Sequence, residues 1–173
     1  MSQEPIHLVM YDLTWPKKFE EEKQLLKQTL GDWIEGGIHH VGSTSIPGMT
    51  AKPIIDIMVG VTSLEKSKSC IPLLEAIDYC YAPYKTDVMH WFCKPSPEHR
   101  EYHLYLIETT NYEWKARLAF RDFLRSHPDS AREYIELKLS LASRYSNDRE
   151  AYTAAKASFI GDVTTKALAP SGK

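Results

Sequence analysis

A chain of 173 residues, 43% hydrophobic and 25% charged, with 8 Gly and 10 Pro, has the make-up of an ordinary globular domain. That excludes collagen-like and disordered chains, and the length fits one domain, taken over residues 1–170, whose core needs neither disulfides nor a structural metal. Lys and Arg number 21 against 23 Asp and Glu, a formal charge of −2, so no basic tract points to nucleic acid and no acidic tail to a solvating role.

Cys70, Cys80 and Cys93 form no C-x-x-C pair, and an odd number at wide spacing is a poor disulfide framework. Free thiols in a reducing, cytoplasmic compartment are expected. The first ten residues, which include Glu4, Pro5 and His7, lack the basic-then-apolar pattern of a signal peptide. No run of about 18 apolar residues suggests a membrane span. The best apolar run, Ile54 to Val61, is of strand length and is interrupted by Asp56.

In chain order, Ile6 to Met10 reads as a short edge strand. Thr14-Trp15-Pro16 opens a helix carrying Phe19, Leu25, Leu26 and Leu30, with Gly31 as its stop. Ile38 to Val41 is a strand, followed by seven residues of turn chemistry, Gly42 to Gly48. Pro53 leads into the strand Ile54 to Val61, rich in branched residues. Ser63 to Tyr79 reads as helical, with Pro72 either a break or the first turn of a second helix. Asp87 to Cys93 and Tyr102 to Ile107 read as two strands joined by a loop through Lys94-Pro95-Ser96-Pro97. From Asn111 the chain is helical: one helix with Trp114, Leu118, Phe120 and Leu124, a second from His127-Pro128, and a third capped near Asn147-Asp148 that runs to about Leu168. The tail from Pro170 to Lys173 is expected to fray. The pattern β-α-β-β-α-β-β followed by three helices predicts an α/β (α+β) sheet with a helical C-terminal part.

The segment His40 to Asp56 carries the chemistry. A strand ends in Gly42-Ser43, where a small residue lets the backbone come close to a ligand. Ser43, Thr44 and Ser45 supply hydroxyls beside backbone N–H groups suited to an anion. Lys52 adds a cation for a phosphate. Asp56 sits in an apolar strand, where an ionised carboxylate needs a partner: a metal, an Arg or loop N–H groups. By strand alternation, Ile55, Ile57, Val59 and Val61 share one face, and Ile54, Asp56, Met58 and Gly60 the other. The spacing fits neither a Walker A loop nor a G-x-G-x-x-G fingerprint, and Ser43 lacks the context of a hydrolase nucleophile.

The stretch His40 to Asp56 resembles the signature of the GrpB family. Tyr11-Asp12-Leu13-Thr14-Trp15-Pro16, His103-Leu104-Tyr105, Leu118 to Arg125 and Asp148 to Lys156 resemble further blocks of that family, in the same order. The resemblance implies a nucleotidyltransferase-like mixed β-sheet flanked by helices, with a helical C-terminal part. It also implies a site that binds a nucleotide or phosphorylated small molecule, with transfer of a nucleotidyl group assisted by Mg²⁺ or Mn²⁺. The superfamily pattern is an apolar-Gly-[Gly/Ser] turn and then Asp-x-[Asp/Glu]; Val41-Gly42-Ser43 and Asp56 match it. Carried over to this chain, it makes Gly42, Ser43, Thr44, Ser45 and Lys52 phosphate-binding and Asp56 catalytic and metal-binding. The match breaks at Met58, which stands where the second carboxylate belongs, and a thioether suits Mg²⁺ poorly. His103, on the strand Tyr102 to Ile107, is the candidate to complete a metal site beside Asp56.

His39 and His40 point to opposite faces of a strand and cannot chelate as a unit. The aromatic residues of the C-terminal helices read as helix seams. Arg117, Arg121 and Arg125, on one helix face, either line a phosphate-facing cleft or pair with Asp122, Glu133 and other neighbours. Three readings follow: a nucleotidyltransferase, a non-catalytic module binding a nucleotide or phosphometabolite, and a protein-interaction module. Near-neutral charge implies that phosphate affinity comes from the Gly42–Ser45 segment and Lys52, and it disfavours a long nucleic acid.

Overall fold

The computed structural model describes residues 5–170. Of the tail from Pro170 to Lys173 expected to fray, Ser171 to Lys173 lie outside the described residues, as do Met1 to Glu4 at the other end. Helix α1 spans Trp15–Leu30 and stops at Gly31. Strand β1, Ile38–Val41, is joined by a long loop to β2, Ile55–Val61. Short helices α2, Leu64–Ser67, and α3, Cys70–Glu75, precede β3, Cys80–Tyr81, β4, Met89–Pro95, and β5, Arg100–Glu108. Four helices close the chain: α4, Tyr112–Ser126; α5, Pro128–Arg144; α6, Arg149–Ala155; and α7, Ala157–Leu168. None of these helices is long and apolar enough to cross a membrane.

The five strands form one sheet in the order β1-β2-β5-β4-β3. Only β2 and β5 run parallel, with Asp56 opposite His103 and Met58 opposite Tyr105. The alternation of β2 decides the layers. Ile55, Ile57, Val59 and Val61 are buried with Leu26 and Leu30 of α1 and Cys70 and Leu74 of α3. On the opposite face, Met58 packs with Val41, Met89, Ile107 and Trp114 of α4. Towards the beginning of β2 and β5 that face turns polar at Asp56, His103 and Tyr105. Phe120, Leu124, Tyr134 and Val163 tie the C-terminal helices to Ile46 and Met49 of the long loop. Buried Glu22 of α1 anchors the first face to the sheet, accepting from Tyr79 Oη and Lys94 Nζ, both at 2.9 Å.

Several expectations need correction. Ile6 to Met10 is not a strand: it makes only a single bridge, Val9 to Ala51, because neighbouring residues bond elsewhere, as Ile6 N does to Ser146 O. Of the two readings of Pro72 the structure takes the second, the first turn of α3, where it displaces no helical hydrogen bond, but the helical stretch ends at Glu75 and not at Tyr79. The two-residue strand β3 carries no sequence pattern of its own; pairing with β4 makes it. The third C-terminal helix is broken at Lys156, since α6 packs on α5 whereas α7 packs on α4.

Gly60 marks a tight crossing in the sheet. A Cβ there would lie 1.9 Å from the carbonyl oxygen of Glu35, whose own N–H donates to Gly60 O at 2.8 Å. Gly60→Ala is expected to destabilise the fold by about 3 kcal/mol through this overlap, read as a fall in Tm of roughly 6–12 °C in thermal unfolding.

Candidate functional site

The loop after β1 begins under constraint. Val41 pairs with Asp56, which leaves Gly42 directly over the carboxylate; a Cβ on Gly42 would lie 2.4 Å from Asp56 Oδ2, and its φ of +70° favours glycine as well. Ser43–Ser45 then form a single 3₁₀ turn. The turn is held from both sides. Ser45 Oγ donates to Gly42 O at 2.6 Å, Arg125 Nε to Ser45 O at 2.9 Å and Arg121 Nη1 to His40 O at 3.1 Å. Thr44 Oγ1 donates to Ile54 O at 3.3 Å, so it accepts from His40 Nε2 at 2.9 Å, and the imidazole is the neutral Nε2–H tautomer. Of the Arg residues on α4, two therefore brace the loop backbone, in addition to the Arg121–Asp122 ion pair. Arg117 reaches the cleft while bonded to Glu113 at 3.1 Å.

A cleft of about 550 Å³ opens in front of this loop, between the polar part of the sheet and α4, α5 and α6. Ser43, Thr44, Lys52, Asp56 and His103 line it. Gly42 lies beneath, and Ser45 faces the turn it closes, so these two shape the loop. Asp56 Oδ1 receives Tyr105 Oη at 2.9 Å and His103 Nδ1 at 3.2 Å. Burial alone would raise the Asp56 pKa, but His103, Tyr105 and Lys52 together hold it below the ordinary carboxylate value. Burial, aided by the Asp56 charge, pushes the Tyr105 phenol up, so it is a donor at neutral pH.

The cleft also collects charge that the composition concealed. Lys52, Arg100, Arg117, Lys138, Arg149 and Lys156 all line it, against the carboxylates Asp56 and Glu150. Lys138 is 2% exposed, its Nζ donates to Thr50 O, and it lies 4.8 Å from the Tyr134 ring. Lys156 Nζ lies 4.3 Å and Lys52 Nζ 5.6 Å from the Tyr152 ring centroid. Burial lowers the pKa of Lys138 to about 7, with Lys156 and Lys52 adding repulsion. Burial and Lys52 lower that of Lys156 to about 8. Burial likewise lowers that of Lys52, with Asp56 opposing. Sequence reasoning passed over Lys138 and Lys156. The signal was present: Tyr134, Lys138 and Leu141 are the buried stripe of α5, so a lysine occupies a core position at helical spacing.

The donors do not fit a two-metal centre. Met58 is fully buried among Val41, Met89, Ile107 and Trp114, so the second carboxylate position is an apolar plug. Asp56 and His103 are bonded to each other, and among the described residues no group of three or more His, Cys, Asp or Glu side chains comes together. Two hard divalent ions need more oxygen ligands than this.

A family model described as GrpB protein matches residues 5–166. The chain is 34% identical over 155 residues to UPF0157 protein YqkA of Bacillus subtilis, a match covering 90% of this chain and 45% of that one. It thus spans under half the length of that relative. It is 34% identical over 161 residues to the glutamate-rich protein GrpB of Alkalihalophilus pseudofirmus, covering 90% of this chain and 92% of the relative. Among solved structures, the conserved protein GrpB from Enterococcus faecalis superposes with a TM-score of 0.86 at 34% identity, covering 94% and 97% of the two chains. A chain of the GLD-2/RNP-8 complex superposes with a TM-score of 0.57 at 12% identity over 86% of this chain and 51% of that chain, a likeness of fold alone.

Two outcomes are expected. Gly42→Ala forces the loop off Asp56 and lowers Tm by roughly 5–10 °C. Burial draws the His40 pKa from 6.5 to about 4, against the pull of Asp56. The unfolded chain protonates this imidazole first, so stability falls as pH drops from 6.5 to about 4, by about 3 kcal/mol in all. Urea unfolding across this range is expected to show a shallower pH dependence in His40→Gln.

Proposed function

Because the chain belongs to the GrpB family, we propose that its cleft binds a nucleotide or another phosphorylated small molecule, with phosphate held by Ser43, Thr44 and Lys52. The observation that carries this reading is the excess of cationic side chains around one cleft in a chain of net charge −2. Positive charge concentrated in a cleft, not spread over a surface, suits a compact polyanion. A volume of about 550 Å³ suits a ligand of nucleotide size and not a long nucleic acid. The nucleotidyltransferase-like sheet is compatible with the same reading, and the resemblance in sequence puts Asp56 where that superfamily has a strand carboxylate.

Transfer of a nucleotidyl group is the second reading. Asp56 and the fold favour it; buried Met58 and the Asp56–His103 pairing speak against the Mg²⁺ or Mn²⁺ chemistry it calls for. Binding without turnover is therefore the reading the geometry favours.

Thermal shift with a panel of nucleotides and sugar phosphates, with and without Mg²⁺ or Mn²⁺, tests this. A ligand at about 100 times its Kd contributes roughly 2.7 kcal/mol, and the Tm is expected to rise by roughly 5–10 °C. Lys52→Ala is expected to reduce that rise. No shift with any phosphorylated compound would overturn the binding reading, and release of pyrophosphate from a nucleoside triphosphate would favour the second.

A further inference from the structure

Resting on the binding reading, we infer that Lys52, Lys138 and Lys156 form a polyphosphate subsite that works without a divalent metal and takes up protons when its ligand binds. Three ammonium groups come together at one wall of the cleft from three different parts of the chain: the loop before β2, helix α5 and the joint between α6 and α7. None of the three forms an ion pair among the described residues; Lys138 has the neutral carbonyl of Thr50 and the ring of Tyr134, while Lys52 and Lys156 share the ring of Tyr152. A buried cation without a counter-ion is costly. One buried and two half-buried cations around an open volume form an arrangement that a multiply charged anion relieves.

The charge count narrows the ligand class. The wall carries three positive charges when fully protonated, with Arg117 on α4 and Arg100 on β5 further along. Asp56 on β2 is already engaged by His103 and Tyr105 of β5. A single phosphate or a carboxylate leaves most of this charge unmatched; a diphosphate or triphosphate chain does not. The lysines occupy the role that divalent ions hold in a carboxylate-built site, neutralising phosphate oxygens directly.

Proton linkage follows from the same packing. Burial and mutual repulsion hold Lys138 and Lys156 partly neutral near pH 7–8. The groups facing them are Lys52, Asp56, Tyr105 and His103 from the sheet side, Arg117 from α4, Tyr134 from α5, and Arg149, Glu150 and Tyr152 from α6. An anion among the lysines raises their pKa values. Above about pH 7 the complex therefore holds more protons than the free protein, and affinity falls as pH rises.

The test is isothermal titration with inorganic tripolyphosphate in EDTA-treated buffer at about pH 8.5, in two buffers of different ionisation enthalpy, so that proton uptake is read directly. The wild type is expected to bind without added metal and to take up protons. Lys138→Met and Lys156→Met are each expected to weaken binding about tenfold and to reduce the uptake. Lys138→Arg, which keeps a charge that does not titrate, is expected to bind but with less uptake. Lys156 is only half-buried, so its variant serves if Lys138→Met fails to fold. Binding that requires Mg²⁺, binding without proton uptake, or unchanged affinity in Lys156→Met would overturn the inference. A nucleotide that still raises Tm equally in wild type and Lys156→Met would leave the binding reading standing and remove this one.

Discussion

The parallel pairing of β2 with β5 sets Asp56 opposite His103, and the geometry of the cleft rests on that register. It allows His103 Nδ1 and Tyr105 Oη to converge on one carboxylate oxygen while Gly42 covers the other side of the group. A shift of the register by one residue would bring a branched apolar side chain to this spot and send Asp56 into the core behind the sheet. The loop at Ser43–Ser45 depends on the same contact, because its first residue must pass over Asp56 without a Cβ.

One sheet face thus carries two environments. Its further half is closed by Met58, Met89, Ile107 and Trp114. Its nearer half is polar and open to helices that bring lysine and arginine. Asp56 lowers the cost of the surrounding positive charge but, with Glu150, does not match it in number. Lys52, Lys138 and Lys156 are held in place by a backbone carbonyl and aromatic rings, neutral groups that orient a cation without quenching its charge. Such a cleft is organised for an anion before any anion arrives.

Helix α4 links this cleft to the rest of the molecule. Its Arg121 and Arg125 grip the carbonyls of His40 and Ser45, its Trp114 closes the apolar half of the face, and its Arg117 enters the cleft over the Tyr105 ring at 4.3 Å. Loop geometry and helix docking are consequently one event, and both surround the neutral, buried His40.

The period-two pattern of Ile55 to Val61, the stop at Gly31 and the turn chemistry from Gly42 to Gly48 were legible along the chain, because each depends on neighbours a few residues away. So was the singularity of Asp56 in an apolar strand, and with it the centre of the cleft. The break at Lys156 was not, since it depends on which helix each half packs against. His103 was already a candidate neighbour of Asp56, as a metal ligand; that it bonds the carboxylate directly, with Tyr105, needed the register of two strands far apart in sequence. The gathering of Lys52, Lys138 and Lys156 is further still from sequence reading: Lys52 stood out beside the turn and Lys138 on the buried stripe of its helix, but nothing along the chain said that the three share one cleft. Composition sums charge over the whole chain, whereas a ligand meets only the field inside one cleft, and tertiary packing alone decides which charges share it.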